Sequence, residues 1–133
     1  MSNRTVITFG TFDVFHVGHL RVIERAAELG DRLVVGVSAD ELNLRKKGRE
    51  PVFSQAERLA IVAALRHVDE VFIEESLELK RDYIRKYAAD VLVMGDDWEG
   101  RFDELRDVCE VVYLPRTPAI STTALIEKIS GTG

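Results

Sequence analysis

Strands and helices alternate along the chain, and this alternation constrains the fold more than any other feature of the sequence. Short runs rich in β-branched and aromatic residues are typical of buried strands, and each of the first four is followed by a polar or helix-forming segment. Five strands are predicted, at residues 5–10, 32–38, 69–74, 90–95 and 109–115. Helices are predicted at residues 17–29, from Ser54 through LAIVAAL, at 77–88 and at 121–129. Residues 40–53 are polar and basic and contain Gly48 and Pro51, which indicates a loop.

Such alternation implies βαβ units, which place parallel strands in one sheet with helices packed on it. The chain has 133 residues, the usual size of one domain, and shows neither a repeat nor a linker. We therefore predict a single Rossmann-like α/β domain over residues 1–133, with a five-stranded parallel sheet and helices on both faces. Ligands of such sheets bind outside the carboxyl ends of the strands. Four polar segments should meet there: 11–19, 45–49, 95–98 and 116–123.

Charge and composition exclude several classes of protein. A net charge of −5 argues against a nucleic-acid-binding protein. We expect no membrane insertion, because no apolar run approaches the roughly 20 residues that span a bilayer. The first residues lack a signal-peptide pattern and the one cysteine, Cys109, cannot form an internal disulfide, so we expect a cytoplasmic protein with a buried, structural thiol. In an acidic protein, any anion site must be built locally.

The segment GTFDVFHVGH contains two of the three histidines, at the junction of the first strand and the first helix. Gly10 ends the strand, and Gly18 leaves the backbone open between the histidines. His16 and His19 are three residues apart, so both imidazoles project to one side of the first helical turn, where N–H groups suit a phosphate. A zinc site would need a third ligand, which the sequence does not supply. Two core histidines that flank a glycine by chance are the other alternative.

The segment PRTPAISTTALIEKI follows the last predicted strand and begins the closing helix. Serine and threonine are favoured helix caps, so capping alone could explain one hydroxyl. Three hydroxyls, at Ser121, Thr122 and Thr123, together with Arg116 and the free N–H groups of a helix, exceed what a cap needs. They predict a cradle for a polyphosphate.

Two further polar segments follow strands. The basic run at 45–49 is typical of a solvated loop, but at the carboxyl edge of the sheet it could close over bound phosphates. Asp96 and Asp97 follow the fourth strand and could bind a hydrated cation or the hydroxyls of a ligand. Trp98 could support a base or sugar, although a large aromatic residue more often serves packing.

These residues resemble a known family. GTFDVFHVGH, with RTPAISTT near the other end, is similar to the cytidylyltransferase branch of the nucleotidyltransferase superfamily, whose mark is HxGH. The segments MGDDWEGRFDEL and CEVVYLPRT are most similar to the glycerol-3-phosphate cytidylyltransferases, and the likeness covers nearly the whole chain. It implies a homodimer that requires Mg2+ and transfers CMP from CTP to sn-glycerol 3-phosphate. The products would be pyrophosphate and CDP-glycerol, a precursor suited to teichoic acid synthesis.

The resemblance also implies roles for individual residues. His16 and His19 would contact the phosphates and stabilise the transition state, assisted by Lys46 and Arg116. The nucleotide-binding residues implied are Gly10, Thr11, Phe12, Arg66, Asp96, Arg116, Thr117, Ile120, Ser121, Thr122 and Thr123. The acceptor-binding residues implied are Lys46, Lys80, Asp96 and Trp98. No side chain is assigned to a metal, because the CTP phosphates would hold most of the Mg2+ coordination.

Two departures from the family pattern leave alternatives open. Pro118-Ala119 stands where the family usually has Glu-Gly, which bears on nucleotide affinity. Gly48 and Arg49 change the basic pattern that would meet the acceptor. One alternative is therefore nucleotidyl transfer to another phosphate, such as ethanolamine phosphate, inositol phosphate or FMN. The other is a nucleotide-binding module without turnover.

Overall fold

The computed structural model describes residues 3–115 and 121–131, and these contain the predicted sheet. Its five parallel strands lie in the order β3-β2-β1-β4-β5. They are β1 (Thr5–Gly10), β2 (Arg32–Ser38), β3 (Glu70–Glu74), β4 (Val91–Gly95) and β5 (Glu110–Leu114). The chain builds outward from β1 to β3 and then returns to the other side of β1. The strand order thus reverses between β1 and β4, and a ligand is expected outside the carboxyl ends of these two strands.

Five α-helices connect or follow the strands: α1 (Val17–Ala27), α2 (Asp40–Lys47), α3 (Gln55–Ala63), α4 (Lys80–Lys86) and α5 (Thr122–Ser130). Two of the predicted helix starts are confirmed with their caps. The Ser54 hydroxyl accepts from the N–H of Glu57, whose carboxylate accepts from the N–H of Ser54, which is a capping box. The Ser121 hydroxyl accepts from the N–H of Ala124 at the start of α5.

The prediction of a loop over residues 40–53 is wrong for its first half, which forms α2. Periodicity could not reveal this helix, because its sequence DELNLRKK has only two apolar residues. Acidic residues in its first turn and basic residues in its last turn favour the helix dipole. Gly48 then ends it in the left-handed conformation, with φ of 74°. The predicted helix at 77–88 is shorter, because a 3-10 turn at Leu77–Leu79 precedes α4.

Helices cover both faces of the sheet, as predicted. On one face, Val6 packs against Ile23 of α1 and Val62 of α3. On the other face, Ile7 belongs to a second cluster with Ile84 of α4. Neighbouring strand residues are therefore both buried, which explains the continuous apolar runs of a parallel sheet.

The structure also bears on the burial of Cys109 and on helices that could span a membrane. Cys109 is half-buried in the second apolar cluster, and burial raises the pKa of its thiol. Among the residues that the structure describes, no helix is long and apolar enough to cross a bilayer.

Candidate active site

A cavity of about 530 Å³ opens at the carboxyl end of β1. Its wall combines the loop after β1, the end of α2 and the segment beyond it, the turn after β4, and the first turn of α5. The structure thus brings together residues of the four predicted polar segments, the last of them through its described part, residues 121–123. The predicted site residues that line this cavity are Gly10, Thr11, Phe12, His16, His19, Ser121, Thr122 and Thr123.

The two imidazoles cap α1 and are held as neutral donors. Nδ1 of His16 accepts from the N–H of Gly18 at 3.0 Å, and Nδ1 of His19 accepts from the N–H of His16 at 3.2 Å. Since Nδ1 is an acceptor in both rings, the proton resides on Nε2. Burial lowers the pKa of both imidazoles, and that of His19 falls to about 4 with a further contribution from His16.

Both Nε2 atoms point toward the same hydroxyl. Oγ1 of Thr122 lies 3.4 Å from Nε2 of His16 and 3.5 Å from Nε2 of His19. The rings stack with their centroids 3.9 Å apart, and the ring of Phe15 lies 5.3 Å from that of His19. The aromatic contacts and the helix cap together fix two N–H donors on one point of the cavity. The Thr122 hydroxyl occupies that point in this structure, so a phosphate oxygen that receives both hydrogen bonds must take its place.

The loop between β1 and the histidines is strained and is held by a buried aspartate. Phe12 and Val14 have φ of 54° and 47°, in the left-handed region that a β-branched residue rarely adopts. Between them, the carboxylate of Asp13 accepts from the N–H groups of Val52 and Phe53 at 2.7 and 2.9 Å. The sequence does not predict this role, because a single aspartate in a motif gives no sign of its distant partners.

The side chains of Lys46 and Lys47, neighbours in α2, point in different directions. Lys47 lines the cavity, whereas Lys46, which was expected at the phosphates, does not line it. Nζ of Lys46 lies 5.8 Å from the centroid of the Trp98 ring, and burial lowers its pKa against the opposing charge of Glu74. Consecutive residues of an α-helix point about 100° apart. A segment predicted as a loop has no helical periodicity, so the sequence does not indicate which of the two lysines faces the cavity.

The aspartates after β4 also differ from expectation. Both aspartates are exposed, and Asp97 lines the cavity, whereas Asp96, the predicted contact, does not. The two belong to a 3-10 turn, Asp96–Trp98, which points neighbouring side chains in different directions. Trp98 lies on the far side of the turn, where its ring is 5.4 Å from that of Phe102.

Lys80, predicted to bind the acceptor, is buried beside the cavity. Its ammonium forms an ion pair with the buried carboxylate of Glu74 and lies 4.2 Å from the ring centroid of Phe9. Burial lowers the pKa of Lys80, and Glu74 opposes this shift. A second cavity of about 270 Å³ is lined by Lys80, Trp98 and Arg101, among others. Phe9 lines the histidine cavity and so lies between it and the ammonium of Lys80.

The remaining predicted residues lie elsewhere. Arg66 is not brought to the histidine cavity but lines a shallow cleft with Arg21 and Arg25 of α1. Arg116, Thr117 and Ile120 lie outside the described residues, as do Pro118 and Ala119. Within the described ranges, no group of three or more His, Cys, Asp or Glu side chains is placed to hold a metal ion. Asp97, in the turn after β4, lines the cavity together with Glu50 and Asp13, and one or two carboxylates fit Mg2+ that is bound mainly by phosphates.

The buried side chain of Arg58 also supports the candidate site, and the sequence does not predict this role. It is fully buried, and its guanidinium donates to the carbonyls of Thr11 and Ser38 at 2.9 and 2.8 Å. It also forms an ion pair of 2.7 Å with Asp40 at the start of α2. An arginine in a helical segment is usually solvated, so only the three-dimensional structure reveals that it joins the ends of β1 and β2 to α2 and α3.

Comparison with known proteins agrees with this geometry. The chain is 52% identical to a glycerol-3-phosphate cytidylyltransferase of Bacillus subtilis, over 96% of this chain and 98% of that protein. It is 32% identical to an FAD synthase of Pyrococcus horikoshii, over 94% and 91% of the two chains. A lipopolysaccharide core biosynthesis protein of Thermoplasma volcanium shares the fold, with a TM-score of 0.72 and 24% identity over 86% of this chain and 98% of that one. Residues 7–132 match the cytidylyltransferase-like family, to which the chain therefore belongs.

Proposed function

We propose that this protein is a glycerol-3-phosphate cytidylyltransferase, which transfers CMP from CTP to sn-glycerol 3-phosphate. The observation that carries the proposal is the pair of neutral imidazoles whose Nε2 atoms converge on one point of the cavity. The 52% identity to the Bacillus subtilis enzyme favours this acceptor over FMN, because the FAD synthase is more distant, at 32%.

The reaction is a direct in-line displacement. An oxygen of the acceptor phosphate attacks the α-phosphorus of CTP, and the bond to the pyrophosphate oxygen breaks. No side chain acts as nucleophile, and the acceptor phosphate needs no general base, because its second pKa near 6 leaves it largely ionised at neutral pH. The protein must align two anions that repel each other and stabilise the charge that builds on the phosphoryl oxygens.

His16 and His19 stabilise the charge that builds on the phosphoryl oxygens. Their Nε2–H groups are oriented before the substrate arrives, because each Nδ1 is already bonded to the backbone of α1. Donors fixed in this way cost no reorganisation in the transition state, which is the main source of their effect on rate. In this role the imidazoles donate hydrogen bonds and need transfer no proton.

Cations around the cavity align the two anionic substrates. Lys47 and Arg49 line the cavity from the α2 side, and the N-terminus of α5 lies opposite. Arg116 is proposed to join them at the triphosphate. Lys46 and Lys80 are proposed to act at the acceptor end, next to Trp98. For Lys80 this role requires the ring of Phe9 to move, because it separates the ammonium from the histidine cavity. The molecule carries a net charge of −5, so these local cations are needed to attract two anionic substrates.

Mg2+ is the proposed cofactor. When bound, it would neutralise charge on the phosphate oxygens of CTP. Asp97 is the side chain proposed to contact it, because its carboxylate lines the cavity and Mg2+ is usually bound by one or two carboxylates together with substrate phosphates.

A homodimer in the cytoplasm is proposed as the functional form. Val17 at the start of α1 and Val52 and Phe53 before α3 are exposed apolar side chains, and exposed apolar patches often mark contacts between subunits. Light scattering coupled to size-exclusion chromatography tests this proposal, and a mass of one chain at micromolar concentration would contradict it.

The function is tested by measuring pyrophosphate release from CTP and Mg2+ with a panel of acceptors, with ATP, UTP and GTP in parallel. We expect release with CTP and glycerol 3-phosphate. Release with FMN, ethanolamine phosphate or inositol phosphate instead would keep the chemistry and change the acceptor. Binding of CTP without release in any combination would identify a nucleotide-binding module and contradict the proposal.

A further inference from the structure

A buried amide borders the histidine cavity, at a position that the sequence does not mark as functional. Asn43 lies in α2 with 1% of its surface exposed, and it lines the cavity. Its Nδ2 donates to the carbonyls of Ala39 at 3.0 Å and Ser38 at 3.4 Å. Its Oδ1 accepts from Oγ1 of Thr11 at 3.0 Å. Two carbonyls on one side fix the amide orientation, so the oxygen must face Thr11.

The amide determines how the Thr11 hydroxyl can interact with a ligand. Because the Thr11 proton is directed to Asn43, the Thr11 oxygen is left as an acceptor on the cavity wall. The hydroxyl of Ser38 lies 3.3 Å from Oγ1 of Thr11, but it donates its one proton to the carbonyl of Gly10 at 3.1 Å and therefore leaves the Thr11 oxygen available to a donor of the ligand. A ligand group that donates a hydrogen bond, such as a hydroxyl or an exocyclic amine of a nucleoside, is therefore suited to Thr11.

The same amide anchors the helix that carries Lys47. α2 has eight residues, a length that is marginal without tertiary contacts. Its N-cap residue, Ala39, provides no side-chain cap, although Oε1 of Gln55 accepts from the N–H of Asp40 at 2.9 Å, and Leu42 and Asn43 are its two buried residues. The hydrogen bond between Asn43 and Thr11 contributes to the rotation of the helix on the side that faces the cavity. The ion pair of Asp40 with Arg58 and the hydrogen bond from Arg45 to the carbonyl of Glu75 also contribute to this rotation. That rotation decides whether Lys47 or Lys46 faces the cavity.

We infer that Asn43 is a positioning residue for the transfer reaction, which fixes the Thr11 hydroxyl as an acceptor for the nucleoside and directs Lys47 toward its phosphates. The inference rests on the proposed function for its chemistry, and on the hydrogen bonds of Asn43 for its geometry. It assigns to one buried side chain the alignment of both ends of CTP.

The test compares Asn43→Ala with a control that is also destabilised. Ile84→Val removes a methylene from the core on the far face of the sheet, away from the cavity. The affinity for CTP is measured by calorimetry, and kcat and KM by pyrophosphate release. We expect Asn43→Ala to weaken CTP binding and to lower kcat/KM for CTP by about tenfold each, as for a lost buried hydrogen bond that also disturbs its neighbours. Ile84→Val should change both by less than twofold.

Equal effects of the two variants on CTP affinity and on kcat/KM would overturn the inference and leave Asn43 with a role in folding alone. A double-mutant cycle adds a readout that stability does not move. If Asn43 directs Lys47, Lys47→Ala must cost less kcat/KM in the Asn43→Ala background than in the wild type, whereas strict additivity would count against the inference.

A second variant covers the case in which Asn43→Ala does not fold. Asn43→Ser keeps a hydroxyl that can bond back to the Ala39 carbonyl but is too short for Thr11, so it should retain the helix and lose CTP affinity. Unchanged affinity in a folded Asn43→Ser would overturn the proposed contact with Thr11. If the wild type binds CTP but releases no pyrophosphate with any acceptor, the proposed function fails, and the CTP affinities still decide the role of Asn43.

Discussion

His16 combines two tasks in one side chain, and the two can be separated. Its Nδ1 caps α1, and its Nε2–H faces the cavity. We expect His16→Asn to retain the cap, because asparagine is a favoured cap residue, but to lose the donor in the cavity. The melting temperature should change little, and kcat should fall by about two to three orders of magnitude. Thermal unfolding and pyrophosphate release measure the two effects, and a tenfold or smaller loss of kcat would contradict the proposed role.

His19 should make the stability of the protein depend on pH. Burial lowers its pKa from the ordinary value of 6.5 to about 4, so between these values the unfolded chain binds a proton that the folded chain does not. Stability is therefore full above about pH 6.5 and falls as the pH decreases toward 4. The loss attributable to this residue is expected to approach 3 kcal/mol.

Urea unfolding from pH 7 to pH 4 measures this dependence, with His19→Asn as the control because asparagine does not titrate in this range. The difference in unfolding free energy between wild type and variant should shrink as the pH falls. A constant difference across the range would show that His19 titrates normally in the folded protein.

Among the elements, α2 depends on the glycine that ends it. Gly48 has φ of 74°, and nothing lies within 4 Å of the position that a Cβ would occupy. The cost of Gly48→Ala is therefore one of backbone conformation alone, which we expect to be about 1 kcal/mol. Gly48→Asn should cost less, since asparagine tolerates the left-handed region. Urea unfolding of the two variants gives this order, and an equally stable Gly48→Ala would show that α2 ends differently.

The elements also show where sequence reasoning succeeds. The strands were predicted to within one residue at either end, because β-branched runs that are buried on both faces leave a continuous apolar signal. α2 was missed because polar contacts hold it in place. The sequence also does not predict which of Lys46 and Lys47, or which of Asp96 and Asp97, lines the cavity. Neighbouring residues of a helical turn point in different directions, and a sequence motif does not show which of them faces the cavity.

At the scale of the whole molecule, the sequence predicts which segments meet but not what holds them together. The alternation of strands and helices places the four polar segments at one edge of the sheet. The supports beneath that edge are the buried side chains of Asp13, Asn43 and Arg58. Their partners lie up to 47 residues away along the chain, so local patterns carry no trace of them. Sequence motifs therefore indicate the function, whereas they do not indicate the buried polar side chains that support the site.

The closing helix is the part of this assembly most open to a ligand. None of the described residues of α5 is buried, and its first turn is joined to the rest of the site by the hydrogen bond from Thr122 to the carbonyl of Asp13, at 2.9 Å. Such an element should open at low cost. CTP would add contacts between the α5 N-terminus and the histidines, so binding should slow amide exchange in α5.

Hydrogen exchange with and without CTP measures this effect. We expect protection to rise in α5 and to stay nearly constant in α4, where Ile84 is buried on the opposite face. The reason is that a ligand stabilises most strongly those openings that break its own contacts. Equal gains in α4 and α5 would indicate that CTP stabilises only the global fold. No gain in α5 would place the triphosphate away from the Ser121–Thr123 turn, and would leave the cations of the α2 side as its main contacts.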